Sequence, residues 1–97
     1  MILYEDRRLH SSRMIWVKYK EEDNTISFEL QDLGEDFEYE RSMSGISLVE
    51  MLKALHLSDL DSLFAFLLDN YSAVDAMDRI NDEILSKHGI DYVCYSC

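Results

Sequence analysis

Regularly spaced carboxylates are the side chains of this sequence most able to do chemistry. Asp75, Asp78 and Asp82 recur at intervals of three and four residues, which places them along one face of a helix. Their spacing along the helix axis would be about 4.5 and 6 Å, close to the roughly 6–7 Å between neighbouring phosphates of one DNA strand. A rigid row of such acids could therefore imitate a phosphate backbone.

A second acidic set alternates along segments that read as strands. Glu29, Glu38 and Glu40 would share the polar face of a sheet. Acids of the adjoining loops flank this set: Glu21, Glu22, Asp23, Asp32, Glu35 and Asp36. We expect the helical and the sheet set to bind a basic site on a partner. The alternative explanation is that both are ordinary solvated faces of an acidic protein.

The charge of the chain favours a binding role. Twenty acidic and nine basic side chains give a net charge of −11 over 97 residues. Residues 1–20 carry five basic and two acidic groups, whereas residues 21–97 carry four basic and eighteen acidic ones. Such a surface repels nucleic acid and anionic membranes and attracts basic proteins. We expect the basic groups Arg7, Arg8 and Arg13 to neutralise acids within the fold or between subunits.

Other residue types do not predict a catalytic, cofactor or metal site. Cys94 and Cys97 form a Cys-x-x-Cys pattern without further ligands at a metal-site spacing, and we expect both thiols to stay reduced. The histidines are scattered along the chain, at His10, His56 and His88. The sequence also lacks glycine-rich phosphate loops and calcium loops.

Length and composition predict one acidic domain spanning residues 1–97. Hydrophobic residues make up 47% of the chain, which is enough for a folded core. The longest apolar run is far shorter than the roughly 20 residues that span a bilayer, and the first residues lack the pattern of a signal peptide. We therefore expect a cytosolic protein.

Alternation of apolar and polar residues with a period of two predicts an antiparallel β-meander. The predicted strands are residues 13–20, 25–32 and 37–42, with residues 2–5 as an edge strand and residues 90–95 as a short closing strand. The polar residues 21–24 form a loop of hairpin length between the first two long strands.

Three Ser-x-x-acid signals predict helices at about residues 47–56, 59–70 and 73–88. Each signal places a serine N-cap three residues before a carboxylate, and the serines are Ser47, Ser58 and Ser72. Gly89 suits the position just beyond the third helix. The fold class is therefore α+β: a meander of three or four strands, then about three helices packed on one face, and a short C-terminal strand.

The middle helix is apolar around most of its circumference. Its apolar residues are Leu60, Leu63, Phe64, Phe66, Leu67, Leu68 and Tyr71. Such a helix is either the central core element or partly covered by another chain. Both interpretations remain open at this point.

Charge and fold class together predict a non-enzymatic protein that uses its acidic surface to occupy a basic site on a partner protein. The most concrete form is a nucleic-acid-mimicking inhibitor of a nuclease or CRISPR effector, of the anti-CRISPR or anti-restriction type that phages and mobile elements carry. An immunity protein or antitoxin against a basic toxin would present the same electrostatics. A structural subunit that forms a homo-oligomer through the middle helix and an exposed Trp16 is a further alternative.

Overall fold

Five antiparallel strands form one sheet in the computed structural model, which describes residues 1–34 and 38–96. The strands are β1 (Ile2–Arg7), β2 (Ser11–Lys20), β3 (Thr25–Gly34), β4 (Glu38–Ser47) and β5 (Val93–Tyr95). They lie side by side in the order of the sequence, so the predicted meander, edge strand and closing strand are confirmed. The predicted turn and strand start at residues 35–37 lie outside the described residues.

Three helices follow β4. They are α1 (Leu48–Leu55), α2 (Leu60–Tyr71) and α3 (Ala76–Ile80), and α3 continues directly into a π-helical segment (Asn81–Ser86). The third predicted helix therefore starts later and ends earlier than expected, and its second half has the wider π-helical turn. Gly89 has a φ of +64° just beyond it, as its predicted place after the helix requires.

Two helix starts differ from the serine caps predicted for them. Ser47 caps α1 as expected, since its hydroxyl accepts a hydrogen bond from the Glu50 amide at 3.2 Å. Helix α2 is capped by Asp59 and not by Ser58. The Asp59 carboxylate accepts from the Ser62 amide at 2.8 Å, and the Ser62 hydroxyl accepts from the Asp59 amide at 3.1 Å. Serine and aspartate are about equally good N-caps, so the adjacent Ser58 and Asp59 were both candidates. The cap of α2 therefore lies one residue later than predicted.

Ser72 closes α2 and does not start α3. Its hydroxyl donates to the Leu68 carbonyl at 2.6 Å, and Ser72 is the C-cap residue of α2. Helix α3 begins four residues later at Ala76, with Asp75 in the N-cap position but making no side-chain capping bond. The Ser-x-x-acid pattern therefore predicted that Ser72 is the N-cap of α3, whereas its hydroxyl hydrogen-bonds to the C-terminal turn of α2.

Gly45 lies inside β4, although a glycine there suggests the end of a strand. It has a φ of +70°, and the pairing of β3 with β4 shifts register between Ile26 and Phe28. An extra residue in a left-handed conformation is the mark of a β-bulge, and glycine adopts it without strain. Strand β4 thus continues to Ser47, the residue that also caps α1.

The helices cover one face of the sheet and form a single core with it. The buried strand residues are Leu3, Ile15, Val17, Ile26, Phe28, Leu30, Met43 and Ile46. The helical part contributes Leu48, Met51, Leu63, Leu67, Tyr71, Ala76, Met77, Ile80, Ile84 and Leu85. Helix α2 is therefore a core element, with Leu68 as its exposed apolar residue. No described element covers the opposite side of the sheet, which we call the open face.

A cluster of three side chains joins α2 to the segment after α3. The Tyr71 hydroxyl donates to Glu83 at 3.0 Å, and Arg79 Nε donates to the other oxygen of Glu83 at 3.0 Å. The Arg79 guanidinium also lies 4.8 Å from the centroid of the Tyr71 ring. The hydrogen bond from Arg79, and then that from Tyr71, lower the pKa of Glu83.

Glu83→Gln tests this cluster through pH. A carboxylate with a lowered folded-state pKa contributes stability above its ordinary pKa of 4.5, and that contribution disappears as the pH falls through the folded-state pKa. We expect the variant to be less stable than the wild type near pH about 7 and the difference to be smaller at pH about 3. Urea denaturation at both pH values measures it, with Asp82→Asn as the control. A difference that persists unchanged in acid would contradict this prediction.

Candidate partner-binding site

Ion pairs within the fold occupy the basic side chains of residues 1–20. Arg13 makes a bidentate pair with Asp32, with both N–O distances 2.6 Å, and also donates to the Val74 carbonyl at 2.9 Å. This hydrogen bonding to Asp32 raises the pKa of Arg13. The other pairs are Arg7–Glu5, Arg8–Asp6, Lys18–Glu29 and Lys20–Asp23. Of the two predicted arrangements for Arg7, Arg8 and Arg13, the structure shows ion pairs within the fold.

The predicted sheet set lies on the open face. Strand pairing places Glu29 opposite Ser42 and Glu40 opposite Gln31, and alternation carries Glu38 to the same face. Glu29 is half-buried in the middle of the sheet and forms an ion pair with Lys18 at 2.9 Å. Glu38 and Glu40 are exposed and form no ion pair with any described residue. These two carboxylates are thus available to a partner.

The predicted helical set lies in the helical layer, on the other side of the sheet. Asp75, Asp78 and Asp82 are all exposed, but they do not form one regular row. Asp75 precedes α3, and Asp82 falls in the π-helical segment, whose wider turn changes its angular position relative to Asp78. Because the sheet separates the two sets, they do not combine into one acidic array.

Asp78 is bound within the fold. Arg41 of β4 donates to the Asp78 carboxylate at 2.6 Å. The Arg41 side chain is only 15% exposed, whereas that of Asp78 is 74% exposed. Arg41 Nε is buried and has no hydrogen-bond partner among the described residues. Asp78 therefore neutralises a largely buried cation and ties the helical layer to β4.

A trough of about 500 Å³ runs across the open face. Trp16, Glu29, Ser42 and Tyr95 stand opposite one another on the four strands β2 to β5. Trp16 and Lys18 line one side of the trough, Tyr95 lines the other, and Glu29 and Ser42 lie between them. With strands about 4.8 Å apart, the backbones of Trp16 and Tyr95 are roughly 14 Å apart.

The trough combines aromatic rings with carboxylates. Tyr95 is 63% exposed and Trp16 is half-buried, while Glu40 also lines the trough and Glu38 lies beyond it on the same face. Tyrosine and tryptophan are enriched at protein interfaces relative to the rest of the surface. The trough is therefore the candidate site.

The sequence did not identify Tyr95 as a site residue. Alternation within residues 90–95 indicates that Val93 and Tyr95 share a face, and both are exposed. Placing them beside the carboxylates depends on the pairing of Tyr95 with Ser42, which is distant in sequence. The sequence of a strand as short as β5 does not indicate which other strand it pairs with.

Metal and thiol ligands do not gather at this site. Within residues 1–34 and 38–96 no cluster of histidine, cysteine and carboxylate side chains could hold a metal ion. Cys94 is not a free thiol, contrary to the expectation that it stays reduced, and Cys97 lies outside the described residues. None of the described helices combines the length and apolar character needed to cross a membrane.

Asp78→Asn should destabilise the fold because it leaves the largely buried Arg41 cation without its counter-charge. We expect a loss of about 1–2 kcal/mol in the free energy of unfolding, because the poorly solvated Arg41 guanidinium loses the charge of its carboxylate partner. Asp82→Asn removes an exposed acid nearby and should change stability by less than about 0.5 kcal/mol. Chemical denaturation of the two variants measures the difference. Equal stability would show that Asp78 is a purely solvated acid.

Comparison with known proteins gives no assignment for this surface. No protein-family model, no curated protein and no solved structure matches the chain. The open face, with its trough and its two available carboxylates, is interpreted from its own side chains.

Proposed function

We propose that this protein is a non-enzymatic acidic binding protein that occupies a basic site on a partner protein. Its most concrete form is a nucleic-acid-mimicking inhibitor that competes with nucleic acid for a nuclease or CRISPR effector. The open face is the contact surface in this proposal, with Glu38 and Glu40 as the charges that face the partner's lysines and arginines.

One observation carries the proposal: two exposed carboxylates without an ion-pair partner among the described residues lie together at one end of the open face, on the same face as Trp16 and Tyr95. The bases of residues 1–20 are paired within the fold, whereas Glu38 and Glu40 have no ion-pair partner among the described residues. Alternate strand residues are about 6.6–6.8 Å apart, close to the spacing of phosphates along a DNA strand. The pair therefore offers two charges at a phosphate-like distance on a rigid strand.

The helical acids contribute less to this contact. Asp78 is engaged with Arg41, and Asp75 and Asp82 face away from the open face. They add to the negative field that attracts a basic partner and speed its approach, an effect that salt screens. In this proposal the sheet set makes the contact and the helical set supports it at a distance.

A structural subunit is the second candidate function, favoured by exposed apolar side chains. Ile2, Val93 and Tyr95 are exposed on or beside the open face. Self-association through such residues buries apolar area and depends little on salt. Salt dependence of binding therefore separates the two candidates.

Glu38→Gln/Glu40→Gln is the variant that tests the proposal. Tagged wild type and variant are used to capture proteins from the lysate of the native host, and captured proteins are then challenged with duplex DNA. We expect the wild type to hold a basic nucleic-acid-binding protein that DNA displaces, and the variant to bind it at least about tenfold more weakly. Raising NaCl from about 50 to about 300 mM should weaken the wild-type complex similarly.

Glu21→Gln/Glu22→Gln provides a charge-matched control. These acids lie exposed in the turn between β2 and β3, so the control removes the same charge from another surface. It should retain most of the binding. Equal losses in both variants would mean that net charge alone matters, and capture that is insensitive to DNA, salt and both variants would refute the proposal.

A further inference from the structure

We propose that the trough on the open face binds an arginine side chain of the basic partner, with its guanidinium between Trp16 and Tyr95 and above the carboxylates of Glu29 and Glu40. This inference rests on the proposed function and specifies the chemistry of that same site. It names arginine, and not basic charge in general, as the group that the trough selects.

The shape of the trough favours a flat cationic group. The two strands between its aromatic sides carry Glu29 and Ser42, so the centre is lower than its sides and polar. The volume of about 500 Å³ accommodates a long side chain that enters from solvent. A guanidinium lying over this centre can stack against a ring and donate hydrogen bonds to the carboxylates below it.

The charges of the trough favour arginine over lysine. Glu29 already has an ammonium partner in Lys18 at 2.9 Å, so Glu40 is the carboxylate of the trough with which an incoming cation can pair directly. Glu40 has no cation among the described residues, and a guanidinium can pair with it in a bidentate geometry. Arginine is also more weakly hydrated than lysine and loses less on leaving water.

A second copy of the chain is a poorer occupant than a basic partner. Two molecules of charge −11 repel each other, and the open face carries exposed carboxylates at one end. The arginines near the turn between β1 and β2 are already paired, Arg7 with Glu5 and Arg8 with Asp6. Charge complementarity therefore points to a basic segment of a different protein.

Fluorescence of Trp16 provides a direct assay, because it is the single tryptophan of the chain. The full-length protein is titrated with a flexible Gly/Ser peptide that carries arginines and with the same peptide carrying lysines instead. We expect the arginine peptide to change Trp16 emission and to bind about three- to tenfold more tightly than the lysine peptide. Tyr95→Ala and Glu40→Gln should each remove this preference, while Tyr95→Phe should keep it.

The outcomes separate this inference from the proposed function. Equal binding of the two peptides, no change in Trp16 emission, or a preference that survives both Tyr95→Ala and Glu40→Gln would overturn arginine recognition by the trough. The proposed function would still stand if Glu38→Gln/Glu40→Gln weakened capture of a DNA-competing partner. If Tyr95→Ala fails to fold, Glu40→Gln alone decides whether the trough recognises arginine. Glu21→Gln removes the same charge as Glu40→Gln from another surface and is therefore its control.

Discussion

The burial of one sheet face against the helices determines what the rest of the molecule exposes. Ile15, Val17 and Phe28 are fully buried between sheet and helices, and successive strand residues point to opposite faces. Their neighbours Trp16 and Glu29 must therefore lie on the open face. A slip of one residue in register would exchange the two sets, so the same apolar contacts that stabilise the core also hold the aromatic and acidic side chains in place.

Ion pairs within the fold determine which acidic side chains remain without a basic partner. Arg13 bridges Asp32 and the backbone at Val74, and Arg41 holds Asp78 against β4, so these cations serve to join sheet and helices. The acids that remain outside such pairs contribute to the long-range field. Net charge alone does not distinguish a binding surface from a solvated one, and neither does the lack of an ion pair. Glu38 and Glu40 differ from the other unpaired acids in lying on the open face with Trp16 and Tyr95.

Patterns of period two predicted the strands well because burial of one face fixes them directly. The prediction failed where two local signals compete or where a contact is distant in sequence. Ser58 and Asp59 offered alternative caps, and β4 continues through the bulge at Gly45 to Ser47, beyond the predicted strand end at residue 42. The sheet set was placed on its strands correctly, whereas Asp75 precedes α3 and Asp82 lies in the π-helical segment, so the helical set does not form the predicted row. The ion pair of Asp78 with Arg41 and the place of Tyr95 beside the carboxylates depend on tertiary pairing. Hydrophobic periodicity does not encode such contacts.

Strand β4 passes into α1 without an intervening loop, since Ser47 ends the strand and caps the helix. The carboxylates near the other end of β4 lie on the same continuous strand and are paired in register with β3, Glu38 with Leu33 and Glu40 with Gln31. A surface held in this way has little freedom to lose when it meets a partner. Preorganisation of this kind lowers the entropic cost of association, so even a small number of charged contacts can yield useful affinity.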